Sequence, residues 1–456
     1  MGIKTREIDA LSGSVMKKLL QFSLPLILTN WLHLLFNSVD SMVVGHWAGS
    51  LALAAVGTTF PIVMTTVSLF GGLSVGVTVC AANDYGARDE QGYRDTVHTA
   101  VPVAFIVGLV VMLLGVIFTR APLKLISVPA DVIDDSELYL RIYFLSIPGH
   151  MLYEAGASAL RARGDSQNPL KFLLISGFVN VLLNLLFVIA FNMSVAGVAI
   201  ATVMSRYLSV VLVFTHLRRP DSPCRVSIKE MRIHGDKLRK IIRVGLPAGL
   251  QSAMLASSDL PLQSAVNSMG SMATSGNAAV LNLDGFIFTT MDATGQACTV
   301  FTGQSAGAGE YDRASSVFRC SLLITVLVGI ILGGICFLFR RPLIGLFVPG
   351  ETEAIEYGAA RCNIVTTTTA IYAFLITMNA SLRGYGSSTV PAIITVLGLS
   401  GFRFMWAKFF VPTHRTMVGI YLSYPVAWIL CIIVTALLYR TLVRRAREKM
   451  EQSKAQ

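Results

Sequence analysis

Charged side chains make up only 14% of this 456-residue sequence, whereas 54% of its residues are hydrophobic and its mean hydropathy is +0.64. A soluble domain carries roughly one quarter charged residues, so a water-soluble globule is excluded and the chain reads as a membrane protein. Its seven cysteines (Cys80, Cys224, Cys298, Cys320, Cys336, Cys362, Cys431) stand singly with no metal-ligand spacing. That excludes a zinc framework and leaves them as small apolar packing residues. The histidines (His33, His46, His98, His150, His216, His234, His414) form no HxxxH, HExxH or Ser-His pattern, so an enzyme is not expected, and no cofactor is called for. A cleavable signal peptide is not expected either, because the first apolar run is too long and has no small-residue cleavage site.

What the sequence has in abundance is apolar runs. With about 20 apolar residues needed per crossing, candidate spans fall at 16–45, 52–82, 95–119, 137–160, 170–191, 195–217, 241–268, 273–303, 317–339, 355–382, 388–410 and 417–439. The expected fold is therefore an all-α integral membrane protein of about 12 transmembrane helices.

The formal net charge of +11 raises the question of nucleic acid, and the placement of the charges answers it. Basic residues crowd the N-terminus (Lys4, Arg6, Lys17, Lys18), the stretch Arg218–Arg243 and the tail (Arg440, Arg444, Arg445, Arg447, Lys449). If helices alternate, about 27 of the 37 basic residues lie on one side and about 7 on the other, which is the positive-inside bias. Both termini are expected in the cytoplasm of a multi-pass protein of the inner or plasma membrane, with the lipid bilayer and not nucleic acid as its partner. The stretch at 218–243 reads as a solvated linker ending in a short amphipathic helix.

An internal repeat runs through the chain. Phe22-Ser-Leu-Pro25 returns as Val244-Gly-Leu-Pro247, 222 positions on; Tyr85-Gly86-Ala87-Arg88 returns as Ala306-Gly307-Ala308-Gly309 at 221. Leu160-Arg161-Ala-Arg-Gly164 with Pro169 returns as Leu382-Arg383-Gly-Tyr-Gly386 with Pro391, and Ala196-Gly197-Val198 as Val418-Gly419-Ile420, both at 222. The chain is thus two six-helix lobes, 1–217 and 244–456, joined by the linker. Six is even, so the lobes start on one side of the membrane and are expected to be related by a pseudo-two-fold axis along the membrane normal, an arrangement that favours alternating access. Pro25 and Pro247 remove a backbone donor at equivalent places in helices 1 and 7 and permit either bending or a fixed kink.

A carboxylate at the bilayer centre costs at least about 2.5–3.5 kcal/mol, so intramembrane acids usually face a cavity or a partner. Asp40 in span 1, Asp259 in span 7, and Asp284 and Asp292 in span 8 qualify. Asp40 shares a helix face with Asn37 and, one turn further back, His33. Asn180 and Asn184 form an i, i+4 pair on otherwise apolar span 5. Carboxylate and amide oxygens are hard ligands suited to a cation stripped of water, and the carboxylate is equally able to take a proton. The plain alternatives are a solvated Asp40 at a helix end and interhelical hydrogen bonds worth about 0.6 kcal/mol for the asparagines. Asp292 and Gln296 are i, i+4 neighbours, with Asp284 about 12 Å away along the helix axis. Together with Asp259 they form the candidate site for a cationic or amphipathic small molecule, with Phe286, Phe288 and Met291 as apolar contacts; a bond from Asp259 to Asp292 across helices 7 and 8 is the alternative.

Phe22-Ser-Leu-Pro25 leading into Asn37-Ser-Val-Asp40, the loop Tyr85-Gly86-Ala87-Arg88, Asn180-Val-Leu-Leu-Asn184 with Ala196-Gly197-Val-Ala-Ile-Ala201-Thr202, Asn282-Leu-Asp284-Gly285-Phe286 and Gln304-Ser-Ala-Gly307-Ala308 resemble the multidrug and toxic compound extrusion (MATE) family over nearly the whole chain. The resemblance implies an antiporter that expels amphipathic, often cationic compounds against inward Na⁺ or H⁺. It implies that Asp40 is the essential first-helix aspartate and that Asn180, Asn184 and Thr202 complete a cation site, a possible Na⁺ site at Asp40, Asn180 and Asn184. Several relatives hold an aspartate at the position of Asn184. Some carry a glutamate near Leu255 and an acid on helix 10, where this sequence has only Thr366–Thr369 and Asn379, so a cation site of that kind is not expected in the second lobe.

A lipid-linked flippase of a related superfamily is the alternative. It calls for a basic cavity, whereas only Arg141, Arg206 and Arg361 are placed for burial. A major-facilitator exporter also has six plus six helices, but its Asp-Arg-x-Gly core is missing. The expectation is a secondary antiporter, acting as a monomer, with Na⁺ or H⁺ as coupling ion.

Overall fold

The computed structural model describes residues 7–126, 128–219, 226–227, 230–414 and 416–455. Cys224 and much of the linker lie outside these, as do Lys4 and Arg6.

All twelve expected spans are helical, and no strand occurs among the described residues. Helix α1 (Val15–Val43) runs into a π turn at Val44–Ala48, followed by α2 (Ser50–Gly86) and α3 (Glu90–Phe118). Helix α4 is split into Ile133–Phe144 and Ile147–Ala162, where Pro148 begins the second piece and supplies no amide donor. Helix α5 (Gln167–Leu185) also ends in a π turn, Leu186–Ala190, and α6 (Ser194–Leu217) closes the first half. The second half repeats the scheme. Helix α7 comprises Gly235–Ser258 and Leu260–Asn267, α8 is Ser271–Ala308 and α9 is Tyr311–Leu338. Helix α10 is Thr352–Ile364 and Thr369–Gly384, separated by a 3₁₀ turn at Thr366–Thr368. In that break the hydroxyls of Thr368 and Thr369 bond back to the carbonyls of Ile364 (2.6 Å) and Thr366 (2.8 Å) and so compete with the helical ladder. Helix α11 starts at Thr389–Thr395 and continues through two π turns to Phe410; α12 is Met417–Tyr421 and Ser423–Ala455.

Among the described residues, nine of these helices are long and apolar enough to cross a membrane by themselves. The other three are α4, α7 and α8. Charge concentrates in the first part of α4 (Asp134, Asp135, Glu137, Arg141) and at the start of α7 (Lys237, Arg239, Lys240, Arg243), while α8 is rich in Ala, Gly, Ser and Thr. Large apolar side chains such as Ile117, Leu338, Leu397 and Leu437 stand exposed along the helices, the inverse of a soluble surface and what a lipid-facing one requires.

By contacts the chain divides into two units. One contains Leu28–Gly249 and the segment ending at Asp9; the other contains Ala10–Ile27 and Leu250–Gln456. The boundaries drawn from the sequence therefore shift at two helices: the first half of α1 packs with the second unit, and the first half of α7 with the first. The reasons are local. In the first unit Lys237 binds Asp84 at 2.8 Å, and a Cβ added to Gly72 would sit 2.3 Å from the Gly245 carbonyl and the Gly249 amide, so only glycine lets α2 and α7 cross this closely. The expected separate amphipathic helix before span 7 is instead the start of α7, and its Lys237 is buried. In the second unit Arg313 binds the carbonyls of Ala10 (2.5 Å), Ser12 (2.7 Å) and Gly13 (3.1 Å), and Phe22 meets Phe301 with ring centroids 5.4 Å apart.

The repeat is written in the backbone as well. Left-handed or similar positive φ values occur at Gly49 and Gly270, Arg88 and Gly309, and Gly164 and Gly386, pairs separated by 221 or 222 positions. At Gly164 (φ 90°) a Cβ would also meet the Ile8 carbonyl at 2.2 Å, because the segment before α1 lies against this turn: the Ile8 amide donates to the Gly164 carbonyl at 3.2 Å and Arg163 pairs with Glu7. At Gly386 (φ 76°) nothing lies within 4 Å. Gly386→Ala is expected to cost only the left-handed strain, about 1–2 kcal/mol, and Gly164→Ala visibly more. Thermal melting of the purified variants checks this, and equal shifts would contradict it.

Candidate cation site and the acid–arginine pairs

In the first unit the end of α1 meets the end of α5, and the two π turns that follow these helices pack together. This brings Asp40 onto Asn184, whose amide nitrogen Nδ2 donates to Asp40 Oδ1 at 2.5 Å and shares a longer bond with Asn180 Oδ1 at 3.3 Å. Asn180 Nδ2 in turn reaches Ser205 Oγ at 3.4 Å on α6. Thr202, one turn before Arg206, bonds its own helix through Val198 O at 3.0 Å, and Ser205 donates to Thr202 O. Asn184 is fully buried, Asn180 nearly so, and Asp40 half-buried.

The chemistry of this cluster is set by one atom. Asn184 Oδ1 is buried with no hydrogen-bond partner among the described residues, while its Nδ2 faces the carboxylate. Leaving a buried acceptor unsatisfied costs about 1–3 kcal/mol. A monovalent cation fits this donor set: the Asp40 carboxylate, the amide oxygens of Asn180 and Asn184, and the Thr202 hydroxyl are hard oxygen ligands, and Asn184 has only to turn its amide so that oxygen replaces nitrogen. Beside the site Arg206 is tied down by Tyr143 OH (2.6 Å) and Ser146 Oγ (3.1 Å), with its guanidinium 4.7 Å from the centre of the Tyr143 ring, so a fixed positive charge stands near Asp40. Among the described residues no group of three or more His, Cys, Asp or Glu is arranged to hold a metal ion.

The second unit treats its acids differently. Asp284 on α8 is buried and clamped by Arg361 of α10 (Nη2 to Oδ2 2.9 Å, Nε to Oδ2 3.0 Å) and by the Thr366 hydroxyl at 3.0 Å. Arg361 also donates to Asn277 Oδ1 at 3.0 Å, which accepts from Tyr421 OH at 2.6 Å, and lies over the rings of Tyr421 and Tyr424. Asp259 at the break in α7 accepts from Arg403 of α11 at 2.6 Å and from Tyr424 OH at 3.1 Å. Asp292 and Gln296, by contrast, are both exposed on α8, with Arg383 of α10 the charged group that acts on Asp292.

Of the residues expected from the sequence, the structure thus brings Asp40, Asn180 and Asn184 together, with Thr202 adjacent through Ser205. It keeps Asp292 with Gln296 and separates Asp284 and Asp259 into arginine pairs; Asp259 pairs with Arg403, not with Asp292. Sequence reasoning missed Arg403, Arg383, Arg161 and Glu154. Arg403 lies mid-span in 388–410, so the run length signalled it; Arg161 and Arg383 stood in the repeat without being recognised as buried; Glu154 lies inside span 137–160 and was passed over. Arg141, expected to be buried, is 53% exposed and pairs with Glu137.

The family model described as MatE matches residues 25–186 and again 247–407, the same two halves. Among curated relatives, the probable multidrug resistance protein YoeA of Bacillus subtilis is 29% identical over 430 residues, spanning 91% of each chain. The probable multidrug resistance protein NorM of Thermotoga maritima is 24% identical over 394 residues, 84% of this chain and 83% of that one. Among solved structures, a multidrug resistance MATE family transporter of the MOP superfamily in an outward-facing conformation superposes with a TM-score of 0.88 at 18% identity, covering 98% of this chain and all of that one. A MOP superfamily transporter from Pyrococcus furiosus gives 0.87 at 19%, over 97% and 99% of the two chains. The solved structures speak for the fold.

A buried ion pair that loses one partner leaves a stranded charge, which costs about 3–5 kcal/mol. Asp284→Asn is therefore expected to lower the melting temperature sharply, and Asp292→Asn hardly at all. Comparable losses in the two variants would contradict the framework role of Asp284.

Proposed function

The chain belongs to the MatE family, and on that premise we propose that it is a secondary active antiporter exporting amphipathic, cationic compounds in exchange for Na⁺ or H⁺ by alternating access. The family places it in the membrane as a multi-pass transport protein with small-molecule substrates; the coupling and the cargo are this proposal. The observation that carries it is the bond between Asp40 and Asn184. Asp284 and Asp259 are held by guanidinium groups and have their counter-charge built in, whereas Asp40 is held by a neutral amide whose oxygen is left over. A carboxylate arranged in this way gains most when a cation or proton arrives, and that differential stabilisation can bias one state of the transporter over another. Arg206 opposes indefinite retention of the ion, since its fixed charge raises the cost of a second positive charge nearby.

For the cargo, the exposed Asp292 and Gln296 are the groups assigned to contact an organic cation, with the rings of Phe288, Tyr372 and Trp428 forming an aromatic cluster on neighbouring helices (centroids 5.3–6.3 Å apart). Asp284 and Asp259 keep that region in shape. The flippase alternative calls for several unpaired basic groups; Arg361 and Arg403 are neutralised by their aspartates, which leaves Arg206, held by Tyr143 and Ser146, as a single such charge among those expected from the sequence. Both termini are assigned to the cytoplasm on the charge bias of the sequence.

The test is export of a fluorescent cationic dye from proteoliposomes under an imposed Na⁺ or pH gradient. Wild type is expected to export under at least one gradient and Asp40→Asn under neither; unchanged export by the variant would reject the site, and no export by wild type would reject the antiporter. In the same assay Asp292→Asn is expected to slow cationic dyes several-fold more than neutral ones, and equal slowing would remove its role in charge recognition.

A further inference from the structure

Arg161 and Arg383 occupy equivalent places in the repeat, 222 positions apart, and their surroundings differ. Arg161 finds Glu154 on its own helix at 2.9 Å. Ile376 stands at the position equivalent to Glu154, and among the described residues the half-buried Arg383 forms no ion pair, whereas Arg361 and Arg403 each close on an aspartate. The guanidinium of Arg383 is nevertheless fixed. Its Nη2 donates to Gln251 Oε1 on α7 at 2.6 Å, and the Nε2 of this fully buried amide donates to Thr395 Oγ1 on α11 at 2.8 Å. These bonds tie α10 to α7 and α11, yet leave the positive charge uncancelled, because an amide oxygen carries no formal charge.

The acid that answers this charge stands on the neighbouring helix. Thr299 Oγ1 of α8 donates to the Ala380 carbonyl of α10 at 3.1 Å, and a Cβ added to Gly295 would meet Ala380 at 3.8 Å, so residue 380 is level with 295–299 of α8. Arginine side chains lean toward the helix N-terminus, which carries the head group of Arg383 back to the level of Gln296, with Asp292 one turn further on. Asp292 and Arg383 act on each other electrostatically without forming an ion pair. Asp292 and Gln296 are both exposed, and Tyr372 of the aromatic cluster is within electrostatic reach of both charges. In the first unit Phe70 stands at the position equivalent to Asp292. The second unit has thus placed the acid on an open face of α8 instead of on the arginine's own helix.

We infer that Arg383 is a specificity-determining residue of the cargo site, which selects molecules with one positive charge over those with two. The inference rests on the reading above that Asp292 contacts an organic cation. One ammonium or pyridinium group placed on Asp292 meets the carboxylate directly, with the Gln296 amide beside it. A second positive charge on the same small molecule finds no further acid free, since Asp284 and Asp259 are held by Arg361 and Arg403. It lies instead where the fields of the carboxylate and of Arg383 oppose each other, so it gains little attraction while its desolvation is still paid in full. Discrimination here comes from a repulsive element built beside an attractive one. Electrostatic energy is proportional to ligand charge, so removing Arg383 favours a dication by about twice the free energy it gives a monocation, which is the square of the factor in affinity.

The test is competition for binding to the full-length protein in detergent, with a monocationic rhodamine dye as fluorescent probe. N-methyl-4-phenylpyridinium and 1,1′-dimethyl-4,4′-bipyridinium share a two-ring frame and carry one and two positive charges. Wild type is expected to bind the monocation roughly tenfold more tightly, the order that Coulomb's law gives for unit charges a few ångströms apart near a protein surface. Arg383→Gln is expected to tighten the dication by about the square of the factor for the monocation, and Arg383→Lys, which keeps the charge, to retain the wild-type preference. A purely structural arginine would weaken both compounds alike. An unchanged ratio in Arg383→Gln, or the same altered ratio in Arg383→Lys, would overturn the role. Should Arg383→Gln not fold, wild type decides, and equal or tighter binding of the dication would overturn it as well. Failure of the cargo reading shows separately, as dye binding untouched by Asp292→Asn, and removes this inference with it; failure of the antiporter reading shows as absent dye export by wild type.

Discussion

The hydrogen bond from Asn184 to Asp40 is the contact on which the functional reading of this molecule turns. An amide nitrogen 2.5 Å from a carboxylate oxygen satisfies part of a negative charge without cancelling it. The same amide strands its own oxygen in a buried setting. Under the proposed antiport both deficits would disappear together on entry of a cation or a proton, a gain that an arginine in the place of Asn184 would already have taken. The structure builds the cluster by ending α1 and α5 at one level and placing α6 behind them, so the amide pair one turn apart on α5 meets the carboxylate on α1.

The repeat makes the second unit an internal control. At 222 positions on from Tyr139, Asp40, Asn180, Asn184 and Thr202 stand Arg361, Leu262, Phe402, Trp406 and Tyr424. The acid and amides are replaced by apolar groups, and a guanidinium arrives that is bound to Asp284 and laid over Tyr421 and Tyr424. One half of the repeat sets its acid beside neutral amides; the other pairs its acids with permanent guanidinium charges. The same divergence marks the repeated arginines: Arg161 finds its counter-charge on its own helix, while Arg383 binds Gln251 of α7 at 2.6 Å and acts on Asp292 of α8.

Much of this was legible in the sequence. Apolar runs of the right length located all twelve helices, and the 222-residue offset found a duplication that the positive-φ turns at Gly164 and Gly386 repeat in the backbone. The amphipathic spacing of Asn180 and Asn184 pointed to one helix face, and the structure sets that face against Asp40. What the sequence did not reveal is pairing across long separations. Nothing in composition or periodicity joins Asp284 to Arg361 or Asp259 to Arg403, so a set of acids read as a cationic-substrate surface proved to be half framework. Nor does hydropathy tell where a helix changes partners: α1 and α7 each pack one half in either unit, because close glycine crossings and polar anchors such as Lys237–Asp84, invisible along a single helix, decide it.

If Asp40 is the coupling residue, its hydrogen bond to Asn184 gives way when a cation or a proton arrives. Difference infrared spectroscopy of the purified protein reads that carboxylate directly, by adding Na⁺ at constant pH and, separately, by acidification without Na⁺. A carboxylate stretch is expected to shift with Na⁺, or a carboxylic-acid stretch to appear with acid, and the responding band to be missing from Asp40→Asn. Spectra that respond to neither ion, or that respond identically in the variant, would contradict it.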